Sequence, residues 1–363
     1  MLILQRIKAA GLTSAVIAVM AGAPALANDA PTNHFVDPLR APAAQLASPA
    51  HAPLLAVGLA GKRLVAVGLR GAVIYSDDNG GSWHQAAVPL GADIVALTFA
   101  TSQLGWAVGH DGVILSTADG GSHWTKQLDG IQAANTTSHY FKARADSGDA
   151  AARRFIENAE LGVKDGPSNP FMGVWFENPR TGYVVGSFGA AMTTSDGGST
   201  WVPLNDHIDN PDDLHLFAIT GDAAGDLYIA SERGTIFKKA AGTDRFVRQN
   251  TGYKGSLFGV LATANAVYAY GLRGSIYRST DGGDNWSAVV SPSSNTITAG
   301  VVLPDGRIAL VDTAGELLLG DSQGTRFEVV QVSHGAVLAG LVGLGANRVA
   351  VVGPGGVKQV VIR

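Results

Sequence analysis

The stretch Ser76-Asp77-Asp78-Asn79-Gly80-Gly81-Ser82-Trp83 decides the fold, because its pattern returns three times. The other copies are Thr117-Ala118-Asp119-Gly120-Gly121-Ser122-His123-Trp124, Thr194-Ser195-Asp196-Gly197-Gly198-Ser199-Thr200-Trp201 and Ser279-Thr280-Asp281-Gly282-Gly283-Asp284-Asn285-Trp286. Each fits Ser/Thr-x-Asp-x-Gly-x-x-Trp. The glycines permit backbone angles that other residues avoid, and the Asp carboxylate can accept bonds from the N–H groups of its own turn. The Trp then opens a strand and packs against a neighbouring unit. The pairs Asp78/Trp83, Asp119/Trp124, Asp196/Trp201 and Asp281/Trp286 therefore read as structural, since four equivalent copies in a repeat cannot share one active site.

Upstream of each box lie an apolar run, a Gly-x-x-Gly turn and a second apolar run. The turn is Gly68-Leu69-Arg70-Gly71 in the first unit, then Gly109-His110-Asp111-Gly112, Gly186-Ser187-Phe188-Gly189 and Gly271-Leu272-Arg273-Gly274. Decayed copies stand at Ser231-Glu232-Arg233-Gly234, Asp312-Thr313-Ala314-Gly315 and Gly353-Pro354-Gly355-Gly356. Successive closing glycines are separated by 41, 77, 45, 40, 41 and 41 residues. A period of about forty residues matches one four-stranded propeller blade. The runs are short, rich in Val, Ile, Leu, Tyr and Phe, and bounded by Gly, Asp, Asn and Ser. In the second unit the four strands are expected at Ile94–Thr101, Leu104–Gly109, Gly112–Thr117 and Trp124–Leu128. The expected fold is an all-β, seven-bladed β-propeller. Its last unit lacks a fourth strand, and Leu39–Ala50 is the expected donor that closes the ring.

The 77-residue gap exceeds the period by 36 residues and marks an insertion at 129–170, between blades 2 and 3. One helix is expected there, over Ser147–Leu161, capped by Ser147 or Asp149 and stopped by Gly162. An insertion of this length in a compact repeat points to function. Propeller topology puts it on the face that carries the strand b to strand c turns, with Arg70, Asp111, Arg233 and Arg273. Its own Arg153 and Arg154 join them as candidate partner-binding residues. Arg suits carboxylate recognition and interface anchoring.

Residues 1–27 have the pattern of a secretory signal: Arg6 and Lys8, an apolar Ala9–Gly22, and the small-x-small site Ala25-Leu26-Ala27. The mature propeller domain is then 28–363, exported to a periplasm or, in a photosynthetic source, a thylakoid lumen. Its removal takes two basic and no acidic residues, moving the net charge from −4 to −6. An acidic balance argues against nucleic acid as a partner. The sequence has no cysteine, hence no lipid-attachment cysteine and no disulfide. The nine histidines show no metal-ligand spacing, and neither a cofactor nor a metal is expected.

The boxes and the seven units resemble the BNR/Asp-box superfamily, and the phrases Gly71–Trp83 and Gly271–Trp286 are most similar to the photosystem II stability/assembly factor family. That resemblance covers Leu54–Arg363. It implies a non-catalytic, lumenal or periplasmic propeller that binds an integral membrane protein or its precursor through an arginine-bearing face, here Arg70, Arg233 and Arg273. A monomer that does not itself span the membrane is the expectation. Similar proteins in non-photosynthetic bacteria accompany exporters of the resistance-nodulation-division type. Two other classes compete. A sialidase-like hydrolase would carry Arg-Ile-Pro, whereas Arg307-Ile308 precedes Ala309. A two-carboxylate glycosidase would need a pair such as Asp111 and Asp312 across a cleft. A small-molecule-binding or sensor propeller is the third reading.

Overall fold

In the computed structural model, which describes residues 36–166, 169–332 and 336–362, seven antiparallel sheets follow one another along the chain. Six have four strands and the last has three. Blade 2 is typical, with strands a to d at Ile94–Phe99, Gly105–Gly109, Ile114–Thr117 and Thr125–Leu128. Strand a of each blade lies against strand a of the next, and Gly340–Gly343 of blade 7 lies against Leu54–Ala60 of blade 1, so the ring is closed. The second strands, such as Gly105–Gly109 and Val267–Gly271, are buried throughout, which is why they read as unbroken apolar runs. The core sits between blades: Trp124 packs with Val65, Val67 and Leu115 of blades 1 and 2, and Trp201 with Trp106 and Phe176 of blades 2 and 3.

The Gly-x-x-Gly turn has a steric cause. A Cβ at Gly109 would stand 2.0 Å from the Asp93 carbonyl oxygen, and Gly68, Gly186 and Gly271 meet the carbonyls of Pro53, Pro170 and Ser256 in the same way. The residue before the closing glycine is left-handed in five blades, with φ of 55° at Arg70, 57° at Asp111, 51° at Phe188, 55° at Arg233 and 57° at Arg273.

Each box closes on itself through its Asp carboxylate. Asp196 Oδ1 accepts from the Thr200 N–H (2.9 Å) and the Thr194 hydroxyl (2.8 Å), and its Oδ2 accepts from the Thr200 hydroxyl (2.7 Å). Those bonds hold its carboxyl at about 2. Burial works against ionisation of Asp119, yet bonds from the His123 N–H and ring and from Thr117 hold it at about 2 as well. The Ser82 hydroxyl and N–H lower Asp78, and the N–H and side chain of Asn285 lower Asp281.

Two expectations fail. The segment Leu39–Ala50 forms no strand and does not complete blade 7. It runs along blade 1 instead, where the Ala43 N–H donates to the Val88 carbonyl and the Gln85 side chain joins the Leu46 N–H and the Ala44 carbonyl. Pro42 and Pro49 cannot donate to a ladder. Leu46 packs with Leu54, Ile74 and Val352, so the segment seals the junction of blades 7 and 1 with side chains.

The insertion holds two helices, not one: α1 at Gly130–Asp146 and α2 at Arg153–Asp165. α1 begins on a capping box in which Asp129 and Gln132 exchange bonds of 3.0 Å. Its run Asn135-Thr136-Thr137-Ser138 consists of weak helix formers, which hides it in the sequence. Asp149 caps the 3-10 turn Ala150–Ala152 that leads into α2, Gly162 lies inside α2, and the helix gives way at Gly166, with φ of 89°. The segment 1–27 lies outside the described residues.

Candidate partner-binding face

Side chains hold the two helices of the insertion to each other and fasten them to the ring. Phe141 of α1 is fully buried, stacked on Phe155 of α2 at 4.5 Å and edge-on to Tyr140 at 5.0 Å. Lys142 and Glu160 pair across the two helices at 2.6 Å. Arg144 joins Asp149, at the end of the connection, to Asp206, which lies between blades 3 and 4. The Asp206, Asp149 and Tyr140 oxygens hold the Arg144 guanidinium well above its ordinary range. Arg154 donates to the Asn210 carbonyl (3.2 Å) and Asp213 (3.5 Å) of the same connection. The insertion also touches the turn His110–Gly112 of blade 2. It therefore stands on the face of the strand b to strand c turns.

That placement separates the candidate residues. Arg70, Arg233 and Arg273 are exposed and form no ion pair among the described residues. Arg233 and Arg273 stand on adjacent blades 4 and 5, whereas Arg70 is on blade 1, where its backbone N–H donates to Asp93. Asp111 is half-buried beside Asp93 and Asp37. Burial pushes its carboxyl up, His110 works against that, and the two neighbouring carboxylates add to it. The three arginines and Asp111 thus do not form one compact cluster. Arg153 is exposed on α2, and Arg154 is engaged as described.

An aromatic row runs from the turn of blade 3 to the innermost strands of blades 4 and 5, the blades that carry Arg233 and Arg273. Phe188, 60% exposed, occupies in blade 3 the turn position that Arg233 and Arg273 occupy in blades 4 and 5. Its ring lies 4.6 Å from that of His215, and its N–H donates to His215 Nδ1 at 3.0 Å. His215 lies 6.2 Å from Phe217, which meets Phe258 edge-on at 5.0 Å. Phe217 and Phe258 belong to the innermost strands Leu216–Gly221 and Leu257–Ala262. Composition did not single out these rings. Superposing the repeats would have done so, since Leu216-Phe217-Ala218 and Leu257-Phe258-Gly259 are one period apart.

Catalytic alternatives fit this geometry poorly. Asp312 is fully buried, and its carboxylate is taken up by the N–H groups of Ala314 and Glu316 (2.9 Å each) and the Ser293 hydroxyl (2.8 Å). The seven innermost strands carry no charged residue. Among the described residues no group of three or more His, Asp or Glu is placed to hold a metal ion, and no helix is long and apolar enough to cross a membrane.

The sequence profile of the family described as Photosynthesis system II assembly factor YCF48 matches residues 149–327. The Photosystem II assembly lipoprotein Ycf48 of a Synechococcus species is 23% identical over 72% of this chain and 69% of its own length. Its namesake from a Nostoc species is 29% identical over 38% of this chain and 41% of its own. Among solved structures, YCF48 bound to D1 peptide aligns with a TM-score of 0.63 at 17% identity, over 88% of this chain and 96% of that one. YCF48 from Cyanidioschyzon merolae gives 0.61 at 17% identity, over 89% and 98%. The WD40 β-propeller domain of Doa1 gives 0.58 at 10% identity, over 88% and 95%. The chain is an all-β, seven-bladed propeller with four Asp boxes, and it resembles the photosystem II assembly factors. Unlike relatives named as lipoproteins, the sequence contains no cysteine.

Proposed function

We propose that this propeller, like the assembly factors it resembles, is a non-catalytic factor that captures an integral membrane protein or its precursor through the face bearing the insertion. The observation that carries the reading is the row Phe188, His215, Phe217 and Phe258, with Arg233 and Arg273, exposed and without an ion pair among the described residues, on the turns of the same blades 4 and 5. Aromatic rings and Arg are the side chains that dominate recognition surfaces, the rings through apolar area and Arg through planar, bidentate bonding to carboxylates. An extended acidic segment fits both: its apolar side chains meet the rings and its carboxylates meet the guanidinium groups. In a photosynthetic source the partner is a photosystem II subunit; one YCF48 of similar fold is bound to a D1 peptide. The uncharged innermost strands support a role without catalysis.

Export follows from the pattern of residues 1–27 and agrees with the lipoprotein names of the relatives. Mass spectrometry of the mature chain should find an N-terminus near Asn28. The functional test replaces Arg70, Arg233 and Arg273 by Glu. These exposed turn residues contribute little to stability, so the melting temperature should hold. Capture of an integral membrane protein from solubilised native membranes should be lost, because like charges repel at a recognition face. Undiminished capture by the triple variant refutes the proposal. Hydrolysis of a sialoside or glucan by the wild-type protein moves the function to the enzyme class.

A further inference from the structure

The two helices of the insertion and blade 3 enclose a cleft of about 490 Å³. This lies within the range of about 300–1,000 Å³ typical of small-molecule sites. One wall is built from small residues of the helices, Ala133, Ala134, Ala159 and Gly162, which leave the space open. The opposite side presents Phe171, Phe188 and Met192. Asp213 is the one acidic lining residue among those described, and its oxygens face Arg154 (3.5 Å) and Asn158 (3.4 Å). The cleft thus holds no uncompensated charge among the described lining residues.

One polar group there is unsatisfied. Ser187 lines the cleft and is 3% exposed, yet among the described residues its hydroxyl has no hydrogen-bond partner. A buried hydroxyl without a partner is costly, and a protein retains few of them. We propose that the cleft binds a neutral, largely apolar aromatic molecule carrying one hydrogen-bonding group, which Ser187 Oγ satisfies. The rings and the Met192 thioether favour a flat aromatic body. The absence of free charge disfavours an ion, which would enter without a counter-charge. The site goes beyond the proposed partner-binding role; it shares Phe188 with the aromatic row but none of the three arginines.

The test uses the full mature protein and N-phenyl-1-naphthylamine, a neutral two-ring fluorophore with one N–H donor. Wild type should give a saturable, one-site rise in fluorescence and shift the methyl resonance of Met192. Gly162→Leu should lower affinity at least tenfold by filling the cleft; a Cβ there comes no nearer than 3.4 Å to Ala134, so the helix accepts it. Ser187→Ala supplies the finer readout. It removes no bond from the free protein, so its unliganded melting temperature should stay level or rise, while affinity falls roughly threefold to tenfold, the worth of one net hydrogen bond. Three results overturn the proposal: no saturable binding by wild type, unchanged affinity in Gly162→Leu, or unchanged affinity in Ser187→Ala. The Arg70/Arg233/Arg273 variant should bind the fluorophore normally, so loss of partner capture and loss of this site are separable.

Discussion

Replacing Phe141 by Ala should release the insertion while leaving the propeller folded. Phe141 is fully buried, and its ring contacts lie within the insertion, on Phe155 and Tyr140. A buried Phe→Ala change costs about 3–5 kcal/mol, from lost transfer energy and the cavity left behind. The inter-blade clusters that hold the ring do not include Phe141. The cost should therefore fall on the docking of α1 and α2 and not on the global unfolding energy, as for other subglobal units. At 1.4 kcal/mol per factor of ten, the open state of the insertion rises on the order of a hundred- to a few-thousand-fold. Hydrogen exchange read by mass spectrometry is the direct assay. Amides of 131–146 and 154–165 should exchange faster by that factor, while those of the strands Gly105–Gly109 and Val267–Gly271 keep their rates. A uniform acceleration across the blades, with one cooperative melting transition moved down, would refute the view that the insertion is an independent unit.

Four further outcomes follow from the same geometry. Asp119→Ala should destabilise by on the order of 1 kcal/mol, at the low end for a hydrogen-bonded group because the turn is half exposed; a melting temperature equal to wild type contradicts the role given to the box. Since the box carboxyls titrate at about 2 or lower in the folded chain and near 3.9 when unfolded, the stability they contribute is complete above about pH 5 and is lost as pH falls through 4 towards 2. A melting temperature flat from pH 5 to 2 excludes that linkage. Gly109→Ala, whose Cβ meets the Asp93 carbonyl at 2.0 Å, should cost about 1–3 kcal/mol, and Gly58→Ala, which meets only Leu97 at 3.5 Å, much less; equal denaturation midpoints would show that the close approach is not limiting. Phe217→Ala should weaken partner capture without lowering the melting temperature as far as Phe141→Ala does, and unchanged capture removes the aromatic row from the proposed surface.

The sequence by itself determined what repeats. A box bonded within a few residues of itself, a turn glycine forced by a neighbouring carbonyl and a strand of buried apolar residues all leave signals at a fixed spacing, so blade number and strand order were legible in one chain. The insertion was legible as a broken interval, and Asp149 as a cap, because both are local. α1 was not, because its middle residues favour helix weakly and its stability comes from the contact of Phe141 with Phe155. Tertiary structure decided the rest. Whether Leu39–Ala50 pairs with blade 7 or runs along blade 1 depends on which edge its N–H groups reach once the ring has formed. Arg144 finds Asp206 across 62 residues of sequence, and Phe217 finds Phe258 across one full period. The orphan hydroxyl of Ser187 is invisible in a sequence, where every serine can be assumed to find water. Apart from the Phe217–Phe258 pair, which the repeat spacing itself marks, such contacts join segments that only the folded ring brings together, and no local periodicity encodes them.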